Sequence, residues 1–285
     1  MNERWKISLM LAPAVLIIAG LFLGGLLLGI MGSLGYMPFI GRHDWSFDAY
    51  REIVTSERFY HSFLLTFHIA FTSTIIASVI AMGAALVLRK SFFGRRVIQF
   101  LFHLNLTVPH LVGAIGILYL FSQSGFFARL AHEFHLIARP ADFPALVYDP
   151  FAIGIILQYV WKEVPFIGLI LLANMQSLSH DYEAVARSLG ASRWQSFRHV
   201  LLPLLSPGLL AAAMIVFAFT FGAYEIPALL GQNYPAALPV LAYQAFTDTD
   251  LNARPAALAM AMVIAIMSAL MIFAYARLTR RYVRA

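Results

Sequence analysis

The sequence predicts an all-α, polytopic membrane protein with six transmembrane helices and a short polar helix pair inserted between the fourth and the fifth. Hydrophobic residues make up 61% of the 285 positions and charged residues only 12%, too apolar for an ordinary soluble domain. Six apolar runs can each cross a hydrocarbon core of roughly 30 Å, which takes about 20 helical residues. The charged residues fall in short clusters between those runs, so the formal net charge of +6 does not form a basic face for nucleic acid. The chain has no cysteine, which removes disulfides, thiolate nucleophiles and thiolate metal ligands from consideration.

The runs lie near residues 7–31, 62–88, 98–121, 151–178, 204–224 and 256–275. The first follows Arg4 and Lys6 as a signal peptide would, but it exceeds the roughly 7 to 15 apolar residues of such a segment and is expected to be an uncleaved anchor. Its Gly20/Gly24 and Gly25/Gly29 pairs suit close helix packing. Residues 1–61 are thus expected to form this anchor and a first outer segment. Residues 62–276 form the main transmembrane domain, and 277–285 a basic tail.

Basic residues orient the spans, because cytoplasmic segments retain positive charge. Arg4, Lys6, Arg89, Lys90, Arg95, Arg96, Arg187, Arg193, Arg198, Arg277, Arg280, Arg281 and Arg284 lie on one side, thirteen in all. The other side has six: Arg42, Arg51, Arg58, Arg129, Arg139 and Arg254. Both termini, and the polar insertion after the fourth span, are expected to be cytoplasmic.

The outer segments are residues 32–61, 122–150 and 225–255. In the first, Trp45, Phe47, Tyr50 and Ile53 alternate with Asp44, Asp48, Arg51 and Glu52, as in an interfacial amphipathic helix or a docking surface for another protein. The third carries Pro227, Pro235 and Pro239 among apolar residues and reads as a packed or partly inserted segment, not a free linker.

The polar insertion, 181–203, contains DYEAVARSLGASRWQSFRHVLLP. Tyr182, Val185, Ala186 and Leu189 form one apolar stripe at i, i+3, i+4 and i+7, while Glu183 and Arg187 pair at i, i+4. Gly190 suits a left-handed helix stop, and Ser192 with Gln195 forms a capping box that opens a second helix toward Pro203. This spacing resembles the EAA loop of binding-protein-dependent ABC importer permeases with a MetI-like transmembrane domain: Glu-Ala-Ala, three residues, Gly, nine residues, Ile, one residue, Leu-Pro. Gly190, Val200, Leu202 and Pro203 fit that register. The acidic position departs from it, since the family Glu falls on Ala184 and its two Ala on Val185 and Ala186, with a carboxylate one residue early at Glu183.

Polar residues inside spans are the second informative class, because a mid-membrane charge costs about 2.5 to 3.5 kcal/mol on insertion scales and rarely faces lipid. Lys162 and Glu163 sit near the middle of the fourth run, and Pro165 frees the carbonyl of Trp161. They read either as the lining of a kinked helix along a translocation path or as a charge pair that satisfies itself or a neighbouring helix. Gln158, His110 and Glu225 join Lys162, Glu163 and Pro165 as path candidates, although Glu225 at a span end also reads as simply solvated. Gln99, His103 and His110 fall broadly on one face of the third run, but two turns, roughly 10 Å, separate the histidines, so they cannot share an ion. His132, Glu133 and His135 give HExH in an expected loop, without the one-turn spacing of a zinc helix.

The chain lacks the GxxxxGK[ST] phosphate loop, and its only lysines are Lys6, Lys90 and Lys162. It also lacks GxSxG and intramembrane nucleophile patterns, so it reads as a non-catalytic subunit without a cofactor. The resemblance then implies a permease subunit of an ATP-driven importer in the bacterial inner membrane. ATP would be bound by two copies of a separate ATPase, and a coupling helix would fit a cleft of the ATPase through Glu183, Ala184, Val185, Ala186, Arg187, Leu189, Gly190 and Ala191, followed by Leu202 and Pro203. It further implies a second permease subunit or a second copy of this chain, an extracytoplasmic solute-binding protein and surrounding membrane lipid, and no nucleic acid. YVWKEVPF and GAYEIPALLG are similar to permeases of the broad polyamine, ferric-iron, thiamine and aminoethylphosphonate type, which favours a small polar, polyamine-like cation as cargo. An anionic or sugar-like solute, or a secondary transporter, channel or membrane enzyme, are the alternatives.

Overall fold

Pro109 breaks one of the apolar runs, whereas Pro13, Pro165 and Pro207 lie inside continuous helices. In the computed structural model, which describes residues 3–90, 92–177 and 181–283, the chain runs α1 (Glu3–Ser33), α2 (Asp48–Thr55), α3 (Glu57–Leu88), α4 (Arg95–Thr107), α5 (His110–Phe121), α6 (Phe126–Glu133) and α7 (Ile153–Ser177). It continues through α8 (Asp181–Ser188), α9 (Arg193–Ser196), α10 (Leu202–Gly222), α11 (Glu225–Leu230), α12 (Leu238–Phe246) and α13 (Arg254–Val283). Among the described residues, six helical segments are long and apolar enough to cross a membrane: Trp5–Ser33, Glu57–Leu88, His110–Glu133, Ile153–Ser177, Arg193–Gly222 and Leu251–Tyr275. Leu178, the expected end of the fourth span, and Arg284 of the basic tail lie outside the described residues.

The third span differs from expectation. The run 98–121 is split between α4 and α5, and the membrane-length segment is His110–Glu133. Pro109 is the cause: it disfavours helical geometry at the residue before it, and Val108 is extended at φ −71° and ψ 125°. Gln99 and His103 on α4 therefore do not share one helix with His110 on α5. His132 and Glu133 close α6 instead of lying in a loop, and His135 follows it in the left-handed region at φ 58°. Pro203 and Pro207 do not stop the fifth span; the helix widens to a five-residue π turn at Phe197–Leu201 ahead of Pro203, whose missing amide and ring disfavour the regular pattern.

Two compact units divide the chain, and α3 and α13 each contribute to both. The first, Met1–Tyr60 with Leu238–Ile266, holds α1, α2 and α12. Here Ala49 and Ile53 of α2 are buried, the Tyr50 hydroxyl lies 2.9 Å from that of Ser33, and Tyr36 stacks on Trp45 with centroids 5.0 Å apart. Arg42 donates to Asn252, and Arg254 lies over the rings of Phe39 and Phe246. The glycines of α1 are only partly used: Gly29 faces Met262, but nothing in the described residues approaches Gly20, Gly24 or Gly25.

The second unit, His61–Ala237 with Met267–Ala285, is built on α7 and α10. Its core joins Ala77, Ala81 and Ala85 of α3 to Ile167 and Leu171 of α7 and Leu205, Ala212 and Val216 of α10. Small alanines on one helix face let the larger aliphatics of the others approach, and the buried area stabilises by dispersion and packing where lipid offers no hydrophobic difference. The proline-rich outer segment is packed here as expected: Ile226, Pro227 and Leu230 of α11 are buried, and the Leu230 carbonyl accepts from the Tyr148 amide.

Candidate functional site

Two groups of residues come together in the second unit, one in the loop between the fourth and fifth spans and one inside the spans. The loop takes the form read from the sequence. Gly190 sits at φ 88°, the Ala191 amide reaches back to the Ala186 carbonyl and the Gly190 amide to that of Arg187, so the end of α8 is closed by a Schellman motif. Ser192 and Gln195 then satisfy each other reciprocally, at 2.8 and 3.2 Å, to start α9. The stripe Tyr182, Val185 and Leu189 faces outward, with 54%, 55% and 82% of each residue exposed, and Ala184 beside it is exposed too. Ala186 and Ala191 are half-buried, Leu202 opens α10, and Pro203 is exposed in its first turn.

Glu183 does not pair with Arg187 on its own helix. Its carboxylate receives both Nη groups of Arg89, the residue after α3, at 2.5 and 3.1 Å. This fork-to-carboxylate geometry fixes the base of α8 to the end of the second span. Those hydrogen bonds do most to hold the Glu183 carboxyl below the usual carboxylate range; partial burial works against them, and the charges of Arg89, Arg187 and Lys90 add to them. Arg89 entered the sequence reading only as a charge in the orientation count. At 94 positions from Glu183, no local pattern could have paired them.

Inside the spans, two proline breaks satisfy each other. The Trp161 carbonyl, freed by Pro165, accepts from the Asn105 side-chain amide at 3.0 Å. Where α4 stops before Pro109, the Val108 carbonyl and the Asn105 carbonyl, which also accepts from the Val108 amide at 3.2 Å, accept from the Lys162 ammonium at 2.7 and 2.6 Å. The Gln158 amide donates to the His110 carbonyl at 3.0 Å. Gly113 permits the approach, because a Cβ there would lie 2.5 Å from Gln158 Nε2. Lys162 is thus a cap for a broken helix, and the self-satisfied Lys162–Glu163 pair considered from the sequence does not form.

Glu163 turns to different partners. Its Oε1 accepts from the Thr220 hydroxyl of α10 at 2.6 Å, while Oε2 is buried without a hydrogen-bond partner. Thr220 was missed in the sequence reading; a hydroxyl in the apolar stretch after Ser206 was the available signal. Glu163, Lys162 and His110 line a cavity of about 230 Å³ with Leu106, Phe166, Ile215, Val216 and Phe219, and the His110 ring lies 5.1 Å from that of Phe219. Gln158 and Pro165 are buried in α7 and do not line it, and Glu225 is exposed at the start of α11. The arrangement offers a membrane cavity with one unpaired carboxylate oxygen and a fixed lysine.

Residues 73–284 match the model of a family described as the binding-protein-dependent transport system inner membrane component. The chain is 28% identical over 240 residues to the sulfate transport system permease protein CysT of Escherichia coli (strain K12), covering 84% of this chain and 83% of CysT. It is 27% identical over 245 residues to the molybdenum transport system permease protein ModB of Mycobacterium tuberculosis (strain ATCC 25618 / H37Rv), covering 83% of this chain and 86% of ModB. Its fold is that of a chain in the crystal structure of a bacterial ABC transporter involved in the import of the acidic polysaccharide alginate, with a TM-score of 0.81 at 19% identity over 98% of this chain and 96% of the other. The chain belongs to the binding-protein-dependent transport system inner membrane components, the multi-pass permease subunits of ABC importers.

Proposed function

We propose that α8 is a coupling helix that fits a cleft of one of two cytoplasmic ATPase subunits, and that a second permease subunit or a second copy of this chain completes the translocation path. The observation that carries this reading is the outward stripe Tyr182, Val185 and Leu189 on a helix capped at its end and tied at its base by Arg89. An exposed apolar face on a rigid helix suits insertion into a partner's cleft, and its stiffness lets movement of the cleft reach the spans. Ala184, Ala186, Arg187, Gly190 and Ala191 shape that helix and its stop, while Leu202 and Pro203 lead into α10. The thirteen-to-six excess of basic residues supports cytoplasmic termini, and an extracytoplasmic binding protein would deliver cargo to the opposite face. Residues 62–276 act as the transport domain, 1–61 as an added anchor and 277–285 as a basic tail. A cysteine at Val185 in this cysteine-free chain tests the docking: in cells expressing the whole transport system it should crosslink to the ATPase, and failure to do so in an actively transporting complex removes α8 from that interface.

For the cargo we favour a small cation of the polyamine type, on the strength of the unpartnered Glu163 Oε2 in the membrane cavity and the engagement of Lys162 elsewhere. The names of CysT and ModB support a second reading, an oxyanion, for which Lys162 or His110 would supply positive charge. Uptake by Glu163→Gln and Lys162→Gln variants that still assemble with the ATPase separates them. Loss confined to the lysine variant rejects the cationic reading.

A further inference from the structure

A second cavity lies at the base of the coupling loop. It measures about 580 Å³ and is lined by Leu86, Arg89, Lys90, Glu183, Ala184, Arg187, Arg193, Ser196 and Phe197. Four cations face one carboxylate there, and that carboxylate is already held by the two Nη groups of Arg89. Lys90, Arg187 and Arg193 have no ion-pair partner among the described residues.

Two further atoms are left unsatisfied in the same wall. Ser196 is 2% exposed and its hydroxyl has no hydrogen-bond partner; Arg89 Nε is likewise buried and unpartnered. A buried donor without a partner is costly, and guanidinium and hydroxyl groups around a cationic cavity are the donor set that a phosphate satisfies. The cavity also lies at the membrane boundary, since Arg89 and Lys90 directly follow the span Glu57–Leu88 and Arg193 and Ser196 open the span Arg193–Gly222. Leu86 and Phe197 give it an apolar side.

We infer that this cavity binds a phosphate-bearing anion through Arg89, Lys90, Arg193 and Ser196. An anionic phospholipid headgroup fits its position best, because the phosphate would sit among cations at the span ends while the acyl chains meet Leu86 and Phe197. A soluble phosphate compound shares the chemistry but makes no use of the apolar side. Bound there, the anion would brace Arg89 from its Nε edge while Glu183 holds the other, tying the rigidity of the coupling loop to the lipid around it.

The test uses the full chain, purified and delipidated, with native mass spectrometry of bound dioleoylphosphatidylglycerol against dioleoylphosphatidylcholine, and thermal unfolding with sodium phosphate against sodium chloride at equal ionic strength. The expected result is preferential retention of phosphatidylglycerol, weakened about tenfold or more in the double variant Lys90→Gln/Arg193→Gln and unchanged in Arg51→Gln. Both substitutions are at exposed positions, and an unchanged elution profile establishes that the double variant folds. Stabilisation by inorganic phosphate that the double variant loses, without lipid preference, assigns the site to a soluble phosphate compound. If wild type prefers neither phosphatidylglycerol nor phosphate, or if the double variant binds them as wild type does, the inference is overturned.

Discussion

Asn105 and Lys162 hold each other's helices at the point where a proline removes a backbone hydrogen bond from each. Lys162 gives its ammonium to the Asn105 carbonyl, and Asn105 gives its side-chain amide to Trp161, the residue before Lys162. Each proline exposes a carbonyl in a setting without water, and the opposite helix supplies the donor. A buried lysine in a membrane protein here serves the backbone, and the adjacent glutamate is left to face the cavity.

Lys162→Met should therefore destabilise the fold, because two carbonyls lose a charged donor; the loss is on the order of 3 kcal/mol. Thermal unfolding in detergent reads it directly. A melting temperature equal to wild type would show that the Val108 amide suffices for the Asn105 carbonyl and that the Val108 carbonyl finds another donor.

Glu163→Gln should leave stability within about 1 kcal/mol, since a glutamine oxygen can still accept from Thr220. Uptake of a cationic solute should fall at least tenfold, because the unpaired charge in the cavity is gone. Unchanged uptake in radiolabelled-substrate assays argues against Glu163 as a cargo contact.

Arg89→Gln removes the tether on α8. For a half-exposed pair the cost to stability is at most about 1 kcal/mol, but stimulation of ATP hydrolysis by the loaded binding protein should drop several-fold. The pH dependence follows from the lowered Glu183 value: the tether contributes fully above the ordinary carboxylate pKa, near 4.3, and is lost as pH falls through the lower folded-state value. Acid titration of coupling should consequently show a fall below that range in wild type that is absent from the variant, which has no tether left to lose; the same acid-dependent fall in both would separate Glu183 from coupling.

Gly190→Val should uncouple transport while insertion and expression stay near normal. Nothing lies within 4 Å of the position a Cβ would take, so the penalty is the left-handed backbone alone, about 1 to 2 kcal/mol for a β-branched side chain. Gly190→Asn, which tolerates that conformation, should restore most activity; equal loss in both variants would mean the turn itself is not what matters.

A cysteine at Ser192 should react with a membrane-impermeant maleimide only after the cells are opened. Labelling of intact spheroplasts reverses the orientation assigned to both termini and to α8.

Much of this fold is local and was legible in one dimension. The six apolar runs are decided by contiguous stretches of about 20 residues, and the Gly190 stop and the Ser192–Gln195 box by residues within about five positions of each other, where burial in lipid, backbone freedom and short hydrogen bonds act. The freed Trp161 carbonyl was equally readable, because a proline removes a donor whatever surrounds it. What supplies the missing donor was not. Asn105 lies 56 positions away, Lys162 reaches 57 and 54 positions to its carbonyls, and Arg89 reaches 94 to Glu183. The split of the third span had a visible cause in Pro109, but whether the helix kinks or stops depends on a partner able to cap the open carbonyls, and only α7 in place provides one. Composition and periodicity thus determined the spans and the capped loop, whereas packing of the broken α4–α5 run against α7 decided which charges serve the backbone and which remain available in a cavity.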